Sequence, residues 1–244
     1  MNNHQGLALN TNFTLWRISA WGGPIFLVGF LVFWAILGKF FPPPRQYWTA
    51  AEVANFFTQD NLQMRIGMVG CCFVAPFYMV WSAMISRLIQ CIEGPKGVLS
   101  NIELMGGVAT TIAVLMFSIM WLTATFRIES RSPQELQLLM DIGWFIFNMT
   151  FMVTLFQMVG VGTAILIDKR TTPLFARWMG WLSYFSCFVF LSVLLYPFVM
   201  DGPFAWHGLM SYYVALTPFF IWQILFCCYQ FKAINRLEQE ELQA

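Results

Sequence analysis

Residues 49–87 read TAAEVANFFTQDNLQMRIGMVGCCFVAPFYMVWSAMISR, and this stretch decides the fold. Thr49 and Glu52 stand three apart in a capping box, where hydroxyl and carboxylate each satisfy an orphan N–H of the first helical turn. Trp48 and Val53 occupy the positions of a hydrophobic staple over that cap. A short amphipathic segment follows, then an uncharged run from Ile66 to Ser86 that Arg87 closes. The unit returns downstream. Ser132 and Glu135 form a second capping box with Pro133 at the first helical position, where its missing N–H costs nothing. Thr49 to Ser132 and Arg87 to Arg170 are both offsets of 83. The repeated unit reads as an outer interfacial helix leading into a membrane span with a basic foot.

Working outward, composition agrees. Of 244 residues 59% are hydrophobic and 10% charged, against roughly 25% charged in a soluble domain. Six uncharged runs, about Ile18–Leu37, Ile66–Ser86, Leu104–Phe126, Ile142–Ile167, Trp178–Met200 and Gly208–Phe231, each approach the roughly 20 residues that cross the hydrocarbon. The expected fold is an all-α membrane protein of six transmembrane helices in three hairpins, a single polytopic domain over 1–244. Short amphipathic interfacial helices are expected in the first two outer loops. A polar leader (1–15) precedes it and a charged cytoplasmic tail (232–244) ends it; no cleavable signal peptide is read in the leader. A third, degraded copy is suggested where Ile85-Ser86-Arg87-Leu88 resembles Ile234-Asn235-Arg236-Leu237.

Orientation follows from the basic residues. Arg17, Arg87, Lys96, Lys169, Arg170, Arg177, Lys232 and Arg236 lie on the amino-terminal side, and Lys39, Arg45, Arg65, Arg127 and Arg131 on the other. The excess on the first side places both termini in the cytoplasm and the chain in the inner (plasma) membrane.

Several chemistries lack their residues. The net charge of +1 argues against nucleic acid, which asks for a basic face. The six cysteines form no C-x-x-C or Cys/His spacing, so zinc is disfavoured. Haem between helices commonly takes paired His ligands, and His4 and His207 are the whole supply. No nucleophile elbow, zinc-protease motif or phosphate loop is present.

With spans drawn at the charges, every ionisable residue falls at a span end. The candidate ligand-binding rim is Arg65, Arg127, Asp141, Trp144, Trp206 and His207, with Asp141 expected to pair with Arg65 or Arg127. The polar interior is Asn148, Thr154, Gln157 and Gln223, residues that hold helices together by interhelical hydrogen bonds or line a pocket. A Phe-, Met- and Trp-rich interior without charge suits a hydrophobic guest.

The function read from this is a non-catalytic helical bundle that binds a lipophilic small molecule, or serves as membrane subunit or scaffold of an assembly. Its partners are the lipid bilayer, the hydrophobic guest, and further copies or other membrane proteins. Two alternatives stand beside it. One is a small transporter or channel subunit. The other is a membrane enzyme at the outer face, with His207 as base, Asp141 or Glu129 orienting it, and Arg65 or Arg127 stabilising an anion.

Overall fold

The computed structural model describes residues 12–243. Most of the expected leader lies outside them, as does His4. Among the described residues six helical stretches are long and apolar enough to cross a membrane: Phe13–Leu37, Asn61–Glu93, Leu99–Thr125, Pro133–Ile167, Arg177–Phe198 and Leu209–Gln243.

Asn12 starts the first stretch by accepting the Leu15 N–H on its side chain (3.1 Å), so helix α1 (Phe13–Ala20) begins five residues before the uncharged run. Helix α2 (Gly22–Phe30) follows and widens into π-helical turns over Leu31–Leu37. Gly22 is required here, because a Cβ would sit 2.6 Å from the Phe77 carbonyl of the neighbouring span.

Both capping boxes form. Thr49 N–H donates to the Glu52 carboxylate (2.7 Å) and Glu52 N–H to the Thr49 hydroxyl (3.4 Å). Ser132 N–H donates to Glu135 (2.7 Å), and Glu135 N–H returns to Ser132 (3.3 Å). Their continuations differ. Helix α3 (Ala50–Gln59) stops at Asp60, and α4 (Asn61–Glu93) starts anew. Helix α6 (Pro133–Met149) has no such break after its cap and enters the apolar segment directly. The second capped segment is therefore the first part of a span and not a separate short helix.

Glu93 ends α4 and begins α5 (Leu99–Thr125), its carboxylate accepting the Leu99 and Ser100 N–H groups (2.9 and 2.6 Å). Gly94, at φ 88°, makes the turn between them. After α6 the helix breaks at Thr150, whose hydroxyl donates back to the Ile146 carbonyl (2.6 Å), and α7 (Phe151–Ile167) completes the span. The last two spans are α8 (Arg177–Phe190) with a 3-10 extension over Leu191–Phe198, and π-helical turns over Leu209–Val214 leading into α9 (Ala215–Gln243). The charged tail is the last part of α9, tied to α1 where Arg17 pairs with Glu238.

Each span packs on the next, and the sixth closes on the first: α2 lies against α4, α4 against α5, α5 against α7, α7 against α8, α8 against α9, and α9 against α1 and α2. The ring's centre is aromatic. Phe26, Phe30, Tyr78, Trp81, Phe117 and Trp222 are buried there, while Phe73, Met105, Phe156, Phe188 and Phe198 stand exposed on the outside. Apolar side chains both inside and outside are what a bundle in lipid requires, since its outer solvent is as apolar as its core.

Candidate functional site

At the middle of the ring lies a cavity of about 80 Å³. Phe26 and Phe30 of α2, Tyr78 of α4, Phe117 of α5, Phe190 of α8 and Phe220 of α9 supply much of its wall. One strip of that wall is polar: the Thr110 and Thr154 hydroxyls bond each other at 2.7 Å, and Thr110 also donates to the Gly106 carbonyl (2.8 Å). The lining residues Phe147, Thr150, Leu155, Phe219 and Phe220 are only half-buried.

Beside the cavity runs a chain of buried polar groups. The Tyr78 hydroxyl donates to the Gln157 side-chain oxygen (2.8 Å). The Gln157 amide nitrogen donates to Glu103 Oε1 (2.9 Å), and the Ser82 hydroxyl donates to the same oxygen (2.8 Å). Tyr78, Ser82, Glu103 and Gln157 are each 0% exposed. Among the described residues Glu103 Oε2 has no hydrogen-bond partner, and no Lys, Arg or His pairs with this carboxyl. Three helices meet at these residues because small side chains permit it: a Cβ on Gly107 would overlap the Ser82 hydroxyl, and one on Gly106 would lie 2.7 Å from Gln157 Cβ.

Glu103 is thus the residue that sequence reasoning missed. Drawing the span at its nearest charge left the carboxylate outside, at Leu104. The helix actually starts at Leu99, held by Glu93, and Glu103 falls inside it. The signal was present as periodicity: Glu103, Gly107, Thr110, Val114, Phe117 and Trp121 recur at helical spacing and are all buried on one face.

The expected polar interior divides. Thr154 and Gln157 join the groups just described. Asn148 (5% exposed) and Gln223 (0% exposed) are buried elsewhere, and among the described residues the Asn148 Nδ2 and both Gln223 amide atoms lack hydrogen-bond partners.

The six rim residues do not gather at one place. Arg65 donates to Asn61 Oδ1 (3.0 Å) and to the Thr125 carbonyl (2.8 Å), satisfying the end of α5. Arg127 is exposed, in the left-handed region at φ 54°, with its guanidinium over the Phe126 ring at 5.2 Å. Asp141 pairs with neither arginine and lies within electrostatic range of Tyr196. The expected pairing of Asp141 with Arg65 or Arg127 is therefore not formed, because Arg65 is consumed by a helix end and Arg127 points away from the bundle.

Trp144, Trp206 and His207 do come together, through a residue the sequence did not single out. Gln46 donates to the Tyr196 and Val199 carbonyls (3.1 and 2.7 Å) and accepts the Trp206 N–H (2.8 Å). Its own N–H donates to His207 Nδ1 (3.1 Å). Trp206 stacks on Trp144 with ring centroids 5.5 Å apart and donates its indole N–H to the Pro44 carbonyl (2.8 Å). His207 Nε2 faces Asp201 at 3.2 Å. With Nδ1 accepting, the neutral ring carries its proton on Nε2 and gives it to Asp201. Burial holds the His207 pKa below its usual 6.5, against the raising effect of Asp201. The arrangement fastens two loops and leaves His207 no free nitrogen to act as a base.

Among the described residues no group of three or more His, Cys, Asp or Glu is placed to hold a metal. Compared with protein families, curated proteins and solved structures, this chain finds no match.

Proposed function

We propose that this chain is a non-catalytic membrane bundle whose central cavity holds a lipophilic small molecule. The observation that carries this reading is the cavity itself, aromatic on most sides with one threonine pair. Its volume of about 80 Å³ falls below the roughly 150 Å³ that accepts a benzene ring in a protein core. The guest that suits it is a slender apolar segment, an acyl or isoprenoid tail, entering beside the half-buried lining residues Leu155, Phe219 and Phe220. The rest of such a guest lies against the exposed apolar flank.

In this reading the six spans pair as three hairpins in the inner membrane, with both termini cytoplasmic and the loops around Arg45, Ser130 and Asp201 outside. The capping boxes at Thr49 and Ser132 mark the entries to spans two and four. A single cysteine placed at exposed Ser130, in a background without the native cysteines, is expected to react with an impermeant reagent from outside. One at exposed Lys96 is expected not to, and the reverse pattern inverts the topology.

The guest is tested by native mass spectrometry of protein purified in a mild detergent. Wild type is expected to carry a lipophilic adduct that solvent extraction identifies. Thr154→Phe, which fills the cavity from one wall, is expected to lose it at an unchanged helical content. A wild type that carries nothing, or a filled variant that retains as much, contradicts the reading. The transporter alternative draws support from one observation, the carboxyl buried beside the cavity.

A further inference from the structure

Every donor around Glu103 points at one of its two oxygens. Oε1 accepts from Ser82 on α4 and from Gln157 on α7, while Oε2 is buried and bonded to nothing among the described residues. An ionised carboxylate in that place would hold a full charge away from water on one satisfied oxygen, without a counter-ion. Buried charges of this kind are paired or are neutralised. No pairing is present among the described residues. On α5 Glu103 is the sole ionisable residue, α7 has none, and from α4 the titratable group that faces it is Tyr78. Neutralisation needs one proton, and Oε2, which accepts no hydrogen bond from the described residues, is the atom left to carry it.

The position of the group gives that proton a role. Glu103 lies about 6 Å along α5 from its start at Leu99, near the end of the bundle that carries both termini. Gln157 links it to Tyr78, whose ring is part of the cavity wall. Acid side chains held inside membrane bundles in this way mark proton relays and substrate paths. We propose that Glu103 is a proton-binding site whose occupancy is linked to that of the central cavity through Gln157 and Tyr78. The linkage rests on the cavity having a guest; the proton site does not.

When Oε2 is protonated, Oε1 is a carbonyl oxygen and a moderate acceptor. Losing the proton makes it a carboxylate oxygen, which draws the Gln157 amide and the Ser82 hydroxyl more strongly. Gln157 also holds the Tyr78 hydroxyl, so a shift of its amide moves the ring that closes one side of the cavity. Guest and proton then bind together, and removal of either weakens the other by the same factor.

Infrared difference spectroscopy reads the proton directly. Wild type minus Glu103→Gln at neutral pH is expected to contain the C=O stretch of a protonated carboxyl, replaced by carboxylate bands in alkaline buffer. Carboxylate bands already present at neutral pH overturn the proton site. If Glu103→Gln does not fold, wild type grown with 13C-labelled glutamate is read by the protonated C=O band alone, since exposed glutamates are ionised at neutral pH and add nothing to it. The band is expected at neutral pH and lost in alkali, and its absence at neutral pH overturns the proton site. The linkage is read by adduct retention. Alkaline buffer is expected to lower retention severalfold in wild type and to leave Glu103→Gln unchanged, since glutamine keeps the neutral form at every pH. Equal losses in both proteins overturn the linkage. An absence of adduct in wild type and in Glu103→Gln alike at every pH overturns the guest reading and with it the linkage, while the infrared result still decides the proton site.

Discussion

The two polar regions of this bundle invert what their charges suggest. At the loop end, Arg65, Arg127, Asp141 and His207 crowd the sequence near span boundaries, yet Arg65 and His207 are occupied separately, Arg127 is exposed, and Asp141 pairs with neither arginine. Near the opposite end a single acidic residue is sealed between α4, α5 and α7 and connected to the cavity. Charge density therefore does not locate the connected site; helix packing does. Arg65 and His207 are spent on closing a helix end and joining loops. Glu103 has neither duty and retains an unused oxygen.

The strongest way to break this contrast is at Gly107, where α5 meets Ser82. Gly107→Ala puts a methyl group into the Ser82 hydroxyl, and overpacking of this kind costs roughly 1–3 kcal/mol. Denaturation of the purified protein is expected to show a loss near the upper end of that range. A loss below about 0.5 kcal/mol, the level of an exposed substitution, would mean that the helices are not closely apposed there. Next comes Gln157→Leu, which strands the Tyr78 hydroxyl and removes one of the two donors to Glu103. Leaving a buried polar group unsatisfied costs about 1–3 kcal/mol.

These two residues also show how far the sequence could be read. The apolar runs, the capping boxes and the six spans follow from periodicity and composition, which are local properties. Gln157 was legible as a polar group inside a span, and Thr154 as its neighbour on the same face. Its partner across the bundle was not, because which face of α7 meets which face of α5 is set by packing among three helices. Glu103 lies just outside the uncharged run that begins at Leu104, and so outside the span that composition alone marks. That boundary fails where a helix begins earlier, as α5 does on the Glu93 cap. The capped segments teach a similar lesson. Thr49 and Ser132 carry the same local code, but only the helix begun at Thr49 is broken, at Asp60, before its span starts.

At the loop end the expected effects are smaller. His207 is held neutral by burial and by the Gln46 N–H on Nδ1. Its folded pKa lies below the unfolded value of about 6.5, so this contribution is intact above that pH. It is lost as pH falls through the lower folded value, since the unfolded chain takes up the proton first. Melting temperature is expected to drop on acidification in wild type, and less in His207→Gln, whose amide can keep both an acceptor and a donor in place. Glu52→Ala removes half of the first capping box at a cost of about 1 kcal/mol, and a change in denaturation midpoint measures it. Arg127→Gln, exposed and over a single ring, is expected to shift stability by less than about 0.5 kcal/mol.

The most direct test sets one region against the other in a single assay. Adduct retention is measured by native mass spectrometry for Thr154→Phe and for the double variant Arg65→Gln/His207→Gln, beside wild type. The cavity variant is expected to lose the lipophilic adduct at least tenfold, and the loop-end variant to keep it within about twofold by the near-neutrality of substitutions remote from a binding site. Loss in the loop-end variant with retention in Thr154→Phe would place the binding site at the rim and contradict the assignment of the cavity.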